Sequence, residues 1–215
     1  MALPLFLGHR GARASAEIPE NTFASFDLAL TQGCDGFEFD VRLTACGTAV
    51  VCHDPKVDGI TVARAQAKRL PQLPRLDEVI KGYGQRAFLD IELKVRDLES
   101  KVLTALSKSP PAQGYVVSSF VPDVVMDLEA RSSSVCIGII CETAVQLARW
   151  RELPVDCVIP HQSLVNRLLV QDIQRAGCRV FVWTVNDQGT MRRLADWGVD
   201  GIISDETELL VRTLK

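Results

Sequence analysis

FEFDVRL, residues 37–43, alternates apolar and charged side chains at every position. A period of two is the pattern of a strand: Phe37, Phe39, Val41 and Leu43 share one face, and Glu38, Asp40 and Arg42 share the other. LDIELK, residues 89–94, repeats it, with Leu89, Ile91 and Leu93 set against Asp90, Glu92 and Lys94. Half-solvated strands alternate in the same way. The other strand-like runs of this chain are almost wholly apolar, so the density of carboxylates on these two strands is the feature to explain.

Working outward, six further strand-like runs are PLFLG, YVVSSF, VCIGII, CVIPH, CRVFVWTV and DGIIS. Helix-like segments separate them. TFASFDLALTQG has Asn21 or Thr22 as its cap and Gly33 as its close. RLDEVIKGYG, LESKVLTALSKS, PDVVMDLEARS, TAVQLARWRE, LVNRLLVQDIQRAG and QGTMRRLADWG follow, and DETELLVRTLK ends the chain. Alternating short buried strands and helices imply parallel β/α architecture. Eight such units in one domain, residues 1–215, favour a closed (β/α)8 TIM barrel over an open doubly wound sheet. GHRGAR, after the first strand, is not the GxGxxG of a dinucleotide-binding loop. One piece breaks the rhythm. LTACGTAVVCHDP turns at Ala45-Cys46-Gly47 and returns as a short apolar strand, which predicts a hairpin extending from strand 2. Residues 55–75 beyond it read as irregular.

Composition narrows the function classes. At 47% hydrophobic and 24% charged, 215 residues can bury a sizeable core. The net charge is −3 and no basic run stands out, so a nucleic-acid backbone is not an expected partner. MALPLFLGHR lacks a basic n-region and is too short for a signal peptide or a membrane span, so the expected location is the cytoplasm. Seven cysteines form no CxxC pair, and several lie inside strand-like runs. They read as buried thiols of a reducing compartment. The sequence leaves the oligomeric state open.

In such a barrel the chemistry gathers at the C-terminal ends of the strands. Those ends carry His9-Arg10, Glu38 and Asp40, His53-Asp54, Glu92 and Lys94, Ser118-Ser119-Phe120, His161, Trp183-Thr184 with Asn186, and Ser204-Asp205. All three histidines fall at this end. Glu38 and Asp40 are two apart, so both face the interior, roughly 6.5–7 Å apart along the strand. Glu92 on a neighbouring strand can aim at the same spot. Three carboxylates in a low-dielectric mouth repel one another, and need raised pKa values or a cation. An oxygen-only set suits one hard divalent ion, Mg²⁺ or Ca²⁺, with Mn²⁺ also acceptable; zinc fits less well. The alternative is a set of ion pairs with Arg42 and Lys94 that fills the barrel without metal. His9 and His53 border the carboxylates and can supply one base and one acid at neutral pH. Arg10 and Lys94 supply positive charge for a phosphate. Trp183 reads as a pocket wall for substrate and His161 as pocket lining. Asp90 lies deeper, where an internal ion pair or hydrogen bond is expected.

GHRG, PENT, ExD, VVCHDP, IELK, VWTVN and DGIISD, in that order from residue 8 to about residue 205, resemble the glycerophosphodiester phosphodiesterase family. The resemblance implies a (β/α)8 barrel that uses a divalent cation to hydrolyse glycerophosphodiesters to glycerol 3-phosphate and an alcohol, a reaction of lipid and glycerol metabolism. It implies Glu38, Asp40 and Glu92 as metal ligands, and His9 and His53 as the general acid–base pair. Arg10 and Lys94 would contact phosphate, and Trp183 would line the pocket near the glycerol. Glu20, Asn21 and Thr22 of PENT would brace the first loop and start its helix. One departure stands out. Members of the family usually follow the HD motif with a Thr-rich stretch and a small subdomain over the mouth, whereas DPKVDGITVARAQAKRLPQLPRLDEVI is short.

The expected partner is therefore a small phosphodiester, attacked by water or by a hydroxyl of its own glycerol. Rival readings are a phosphodiesterase acting on lysophospholipids or phosphoinositides, a lyase or aldolase using Lys94 as a Schiff-base nucleophile, and a non-catalytic barrel that binds phosphoesters.

Overall fold

The computed structural model describes residues 3–215. In chain order the strands are β1 (Leu5–Gly8), β2 (Gly36–Leu43), β3 (Ala49–Val51), β4 (Lys56–Val57), β5 (Ile60–Thr61), β6 (Phe88–Leu93), β7 (Tyr115–Ser119), β8 (Ile137–Cys141), β9 (Cys157–Pro160), β10 (Arg179–Val182) and β11 (Gly201–Ser204). All but β3, β4 and β5 pair in parallel, and β1 pairs with both β2 and β11, so eight strands close into the expected barrel. The helices are α1 (Phe23–Thr31), α2 (Leu76–Tyr83), α3 (Glu99–Lys108), α4 (Pro122–Arg131), α5 (Ala144–Ala148), α6 (Arg167–Arg175), α7 (Gln188–Trp197) and α8 (Thr207–Leu214). None of the described helices is long and apolar enough to cross a membrane.

The alternation of FEFDVRL sorts its side chains between two dry compartments. Outward, Phe37 stacks on Phe26 of α1 at 4.2 Å between ring centroids, and Tyr83 of α2 meets both rings edge-on. Such aromatic clusters bury much apolar area in few residues, which secures β2 against two helices. Inward, β2 runs in register with β6, Glu38 beside Asp90 and Asp40 beside Glu92. A second apolar cluster, including Leu7, Phe88, Ile140, Ile159, Phe181 and Ile203, fills the rest of the barrel interior.

The hairpin forms as expected. Beyond the reach of β1, the last residues of β2 pair antiparallel with β3, Val41 opposite Val51. Residues 55–75 hold more structure than their composition promised: β4 and β5 make a small hairpin, and two single 3-10 turns follow. The helix expected over TAVQLARWRE stops at Ala148 and passes into a 3-10 turn that buries Trp150. The cysteines divide. Cys34, Cys52, Cys141 and Cys157 are buried thiols, Cys136 and Cys178 are partly covered, and Cys46 is exposed because the tip of the hairpin faces solvent.

Candidate active site

The first loop leaves β1 through GHRG, and both glycines are required there. A Cβ on Gly8 would sit 2.5 Å from the carbonyl oxygen of Gly11. Gly11 has φ +81°, and a Cβ on it would strike Ser25. Between them Arg10 is left-handed, with φ +52°, and Asn21 in PENT follows suit at +58°. Side-chain-bearing residues in that region are strained, and such strain persists only where contacts overdetermine it. Here Ser25 Oγ and the Asn21 N–H both donate to the Arg10 carbonyl, each at 3.0 Å. Thr22 caps α1.

The bent loop brings its side chains onto β2. The Arg10 N–H donates to Glu38 Oε2 at 2.9 Å, and its guanidinium lies between Glu20 (2.9 Å) and Asp40 (3.3 Å). Asn21 clasps Asp40 twice, donating through Nδ2 to Oδ2 at 2.8 Å and accepting the Asp40 N–H at 3.2 Å. From β6, Lys94 Nζ reaches Glu92 at 2.6 Å and Asp40 at 3.3 Å. Each histidine has its own aspartate. His9 Nδ1 is hydrogen-bonded to Asp205 at 2.7 Å, and its Nε2 lies 3.8 Å from Glu38. His53 Nδ1 is hydrogen-bonded to Asp54 at 2.8 Å. Asp205 is held in turn by Asn186 (2.7 Å) and Arg13 (3.2 Å). Arg42 does not pair with the carboxylates; its Nε donates to the His53 carbonyl at 2.6 Å and ties the hairpin's end to β2.

Crowding divides the carboxylates electrostatically. Burial and the neighbouring Asp40 push Glu38 well above the usual range. Burial and Asp40 also raise Glu92, to about 8, against the pull of Lys94. Burial would raise Asp40 too, but Lys94, Arg10 and Asn21 outweigh it and hold that carboxyl low. Burial, with the nearby Asp40, raises Asp90 to about 7, even though Ser118 Oγ donates to it at 2.6 Å. Burial lowers Lys94 less than Glu92 and Asp40 raise it, so it stays an ammonium. Asp205 is depressed because the bonds from His9 and Asn186 override its burial. Burial draws His53 down despite Asp54.

The three acids fit a hard cation. One oxygen each from Glu38, Asp40 and Glu92 lies within 4.8 Å of the others. Glu38 Oε1 is buried and has no hydrogen-bond partner. Asp40 Oδ1 is also without one and faces only Lys94, at 3.3 Å. An unpaired anionic oxygen in a dry site is costly, and an oxygen-only set is the chemistry Mg²⁺ or Ca²⁺ prefers.

Beside this charged sector lies a cavity of about 310 Å³ whose far wall is Phe120, Ile140, Ile159, Trp183 and Ile203. Trp183 packs edge-on against Phe120 and donates its indole N–H to the Ile159 carbonyl at 3.0 Å. His161 packs against Trp183 and does not line the cavity. The eight site residues expected from sequence are thus brought to one end of the barrel, and all but Asp40 line this cavity. Sequence reasoning did not identify Asp205 as the partner of His9, Asn21 as the clasp on Asp40, or Glu142. Glu142 also lines the cavity, and the alternation of VCIGII continued by two residues would have pointed to it.

The sequence profile of the glycerophosphoryl diester phosphodiesterase family matches residues 9–101 and 83–209. A glycerophosphodiester phosphodiesterase of Caldanaerobacter subterraneus subsp. tengcongensis is 29% identical, with 98% of each chain covered. Its alignment spans 239 positions against the 215 residues here, so that relative carries residues this chain lacks. Among solved structures, an Oleispira antarctica phosphodiesterase in complex with the product sn-glycerol-3-phosphate superposes with a TM-score of 0.82 at 27% identity, covering 98% of this chain and 96% of that one. A glycerophosphodiester phosphodiesterase of Thermotoga maritima gives 0.83 at 26%, covering 99% of both. With the fold, the ordered motifs and the family profile in agreement over nearly its whole length, the chain belongs to the glycerophosphoryl diester phosphodiesterase family.

Proposed function

We propose that the protein hydrolyses glycerophosphodiesters to glycerol 3-phosphate and an alcohol, with one divalent cation bound by Glu38, Asp40 and Glu92 and with His9 and His53 as the acid–base pair. The observation that carries this reading is two histidines, each backed by its own aspartate, beside two cationic side chains and an under-neutralised carboxylate cluster. When bound, the cation supplies Lewis-acid stabilisation of charge on the phosphoryl oxygens. Arg10 and Lys94 line the cavity and neutralise the same charge by direct contact. A proton on Nδ1 of His9, held by Asp205, leaves Nε2 free to exchange a proton with substrate; Asp54 does the same for His53. One imidazole takes the proton of the attacking oxygen and the other gives one to the departing alcohol.

Lys94 is a poor Schiff-base nucleophile here, since its pairing with Glu92 and Asp40 keeps it charged. The small cavity with a charged sector favours a water-soluble diester over a long-chain lysophospholipid. The test is release of glycerol 3-phosphate from glycerophosphocholine, glycerophosphoglycerol and a lysophospholipid, with chelator and then Mg²⁺, Mn²⁺ or Ca²⁺. The expected result is turnover of the soluble diesters, lost with chelator and restored by cation. Activity that survives exhaustive chelation would overturn the cation's part, and no turnover of any glycerophosphodiester would overturn the reading as a whole.

A further inference from the structure

The loop that leaves β1 is fastened to the end of β11 at two points. The His9 N–H donates to the Ser204 carbonyl at 2.8 Å, and the Ala14 N–H donates to the Asp205 carbonyl at 3.2 Å. Between them the chain turns Arg13, a side chain with no part in the acid–base step, across the outside of the site. Its Nε donates to Glu20 Oε2 at 2.8 Å, and its Nη1 donates to both carboxylate oxygens of Asp205 at 3.2 Å. These two acids are the ones that back the groups of the first loop. Asp205 holds Nδ1 of His9 at 2.7 Å, and Glu20 holds the Arg10 guanidinium at 2.9 and 3.1 Å. The contacts therefore form a ring, His9 to Asp205 to Arg13 to Glu20 to Arg10, closed by the peptide bond between residues 9 and 10.

The ring gives Arg13 an influence that an isolated surface pair lacks. An exposed ion pair contributes little by itself, whereas a network of charge-assisted hydrogen bonds in a partly dry site contributes more. The Asp205 side chain is only 15% exposed, and Asn186 is its one other side-chain donor besides His9 among the described residues. Without Arg13 that carboxylate loses a third of its side-chain partners, and the imidazole it orients gains freedom. Glu20 is shared between two arginines. With one of them gone, its whole charge turns on Arg10 and competes with a phosphate for that guanidinium. A lysine at residue 13 is no equivalent, because one ammonium does not present a planar fork to two acids.

We propose that Arg13 is a positioning residue for the reaction, holding Asp205 on His9 and drawing Glu20 off Arg10, so that one side chain outside the cavity sets both groups of the first loop. This rests on the reading of the site as a glycerophosphodiester hydrolase, so one arm of the test needs no turnover. Kinetics on glycerophosphocholine are measured with cation present in wild type, R13A and R13K, and for R13A again in a D205N/E20Q background. R13A should lower kcat/KM about tenfold, the scale of a hydrogen bond between charged groups, and R13K should recover only part of the loss. In the D205N/E20Q background the same substitution should cost less than about twofold, because its partners are already neutral. Arg13 lines an open cleft of about 480 Å³ with Glu20, Asn186 and Asp205. Methylguanidinium entering there should restore R13A and leave wild type unchanged. The arm without turnover is the solvent exchange of the His9 Nδ1 proton by NMR, its signal identified by its loss in H9A. That exchange should be about tenfold faster in R13A. Wild-type kinetics in R13A would overturn the proposal. A full penalty in the D205N/E20Q background would mark a merely structural residue and overturn it too, as would unchanged proton exchange. If wild type turned over no glycerophosphodiester, the hydrolase reading would fail, while the exchange rate would still decide whether Arg13 holds the aspartate on His9.

Discussion

The two halves of the barrel mouth share one backbone plan and differ in what their inward side chains are made of. From β1, β2 and β6 come histidine, arginine, lysine and four buried carboxylates; from β7 to β11 come aromatic and aliphatic side chains with one carboxylate at the rim. The architecture alone therefore does not choose where chemistry occurs. The charged half is expensive, because each buried ion must be paired or satisfied. It is bound into its frame by contacts the apolar half lacks, among them the double clasp of Asn21 on Asp40 and the link from Arg42 to the His53 carbonyl.

The strongest way to break that contrast is Asp40→Ala. Asp40 is the shared partner of Arg10, Lys94 and Asn21 as well as a cation ligand in the proposed mechanism. Its loss should lower kcat/KM by at least about 1000-fold, several kcal/mol of transition-state stabilisation. Near-normal steady-state kinetics would remove the charged half from the mechanism. His9→Ala and His53→Ala should each reduce turnover by at least about 100-fold. A 4-nitrophenyl diester, whose leaving group needs little protonation, should restore whichever variant has lost the acid and leave the other slow. That contrast assigns the two roles.

Trp183→Ala probes the other half. It should raise KM by about tenfold and leave kcat within a few-fold, because a wall that binds substrate and transition state alike changes affinity without changing the barrier. A fall in kcat as large as that of the histidine variants would erase the division of labour.

The smallest effect is on stability. The folded Glu92 carboxyl titrates near 8 and Glu38 is also raised, against about 4.3 for an unfolded glutamate. A raised acid stabilises the fold below its unfolded pKa, and that contribution is lost as pH rises through the folded value. Cation-free protein should therefore lose about 5 °C in Tm between pH 5 and pH 8, and Mg²⁺ or Ca²⁺ should recover more at pH 8 than at pH 5. Asp40 and Asp205 are depressed and act in the opposite sense, their contribution disappearing in acid, below this window. A Tm that climbed steadily from pH 5 to pH 8 would contradict the crowding of these acids.

What could be read from sequence followed from periodicity. The alternation in FEFDVRL and LDIELK assigned Glu38, Asp40 and Glu92 to the interior, and barrel geometry brought them together. Contacts across long stretches of chain could not be read this way. Asp205 was visible as a polar residue at a strand end, but its bond to His9 depends on which strand closes the ring. Asn21 read as a possible helix cap, and Thr22 takes that role because the left-handed turn at Asn21 points its amide to Asp40. Arg42 read as an ion-pair candidate by its inward parity, but the hairpin brings a backbone carbonyl within its reach first. Cys46 resembled the buried cysteines by type, and only its place at a turn set it apart.

The bond between His9 and Asp205 joins residues 196 positions apart, whereas His53 and Asp40 lie on one hairpin. That hairpin carries Glu38, Asp40 and His53 in one short stretch of chain. His9 acquires its aspartate only when β11 docks on β1 and seals the ring. Under the proposed mechanism, a barrel left open by its last strand would lack the aspartate that holds His9 even with every other candidate residue in position.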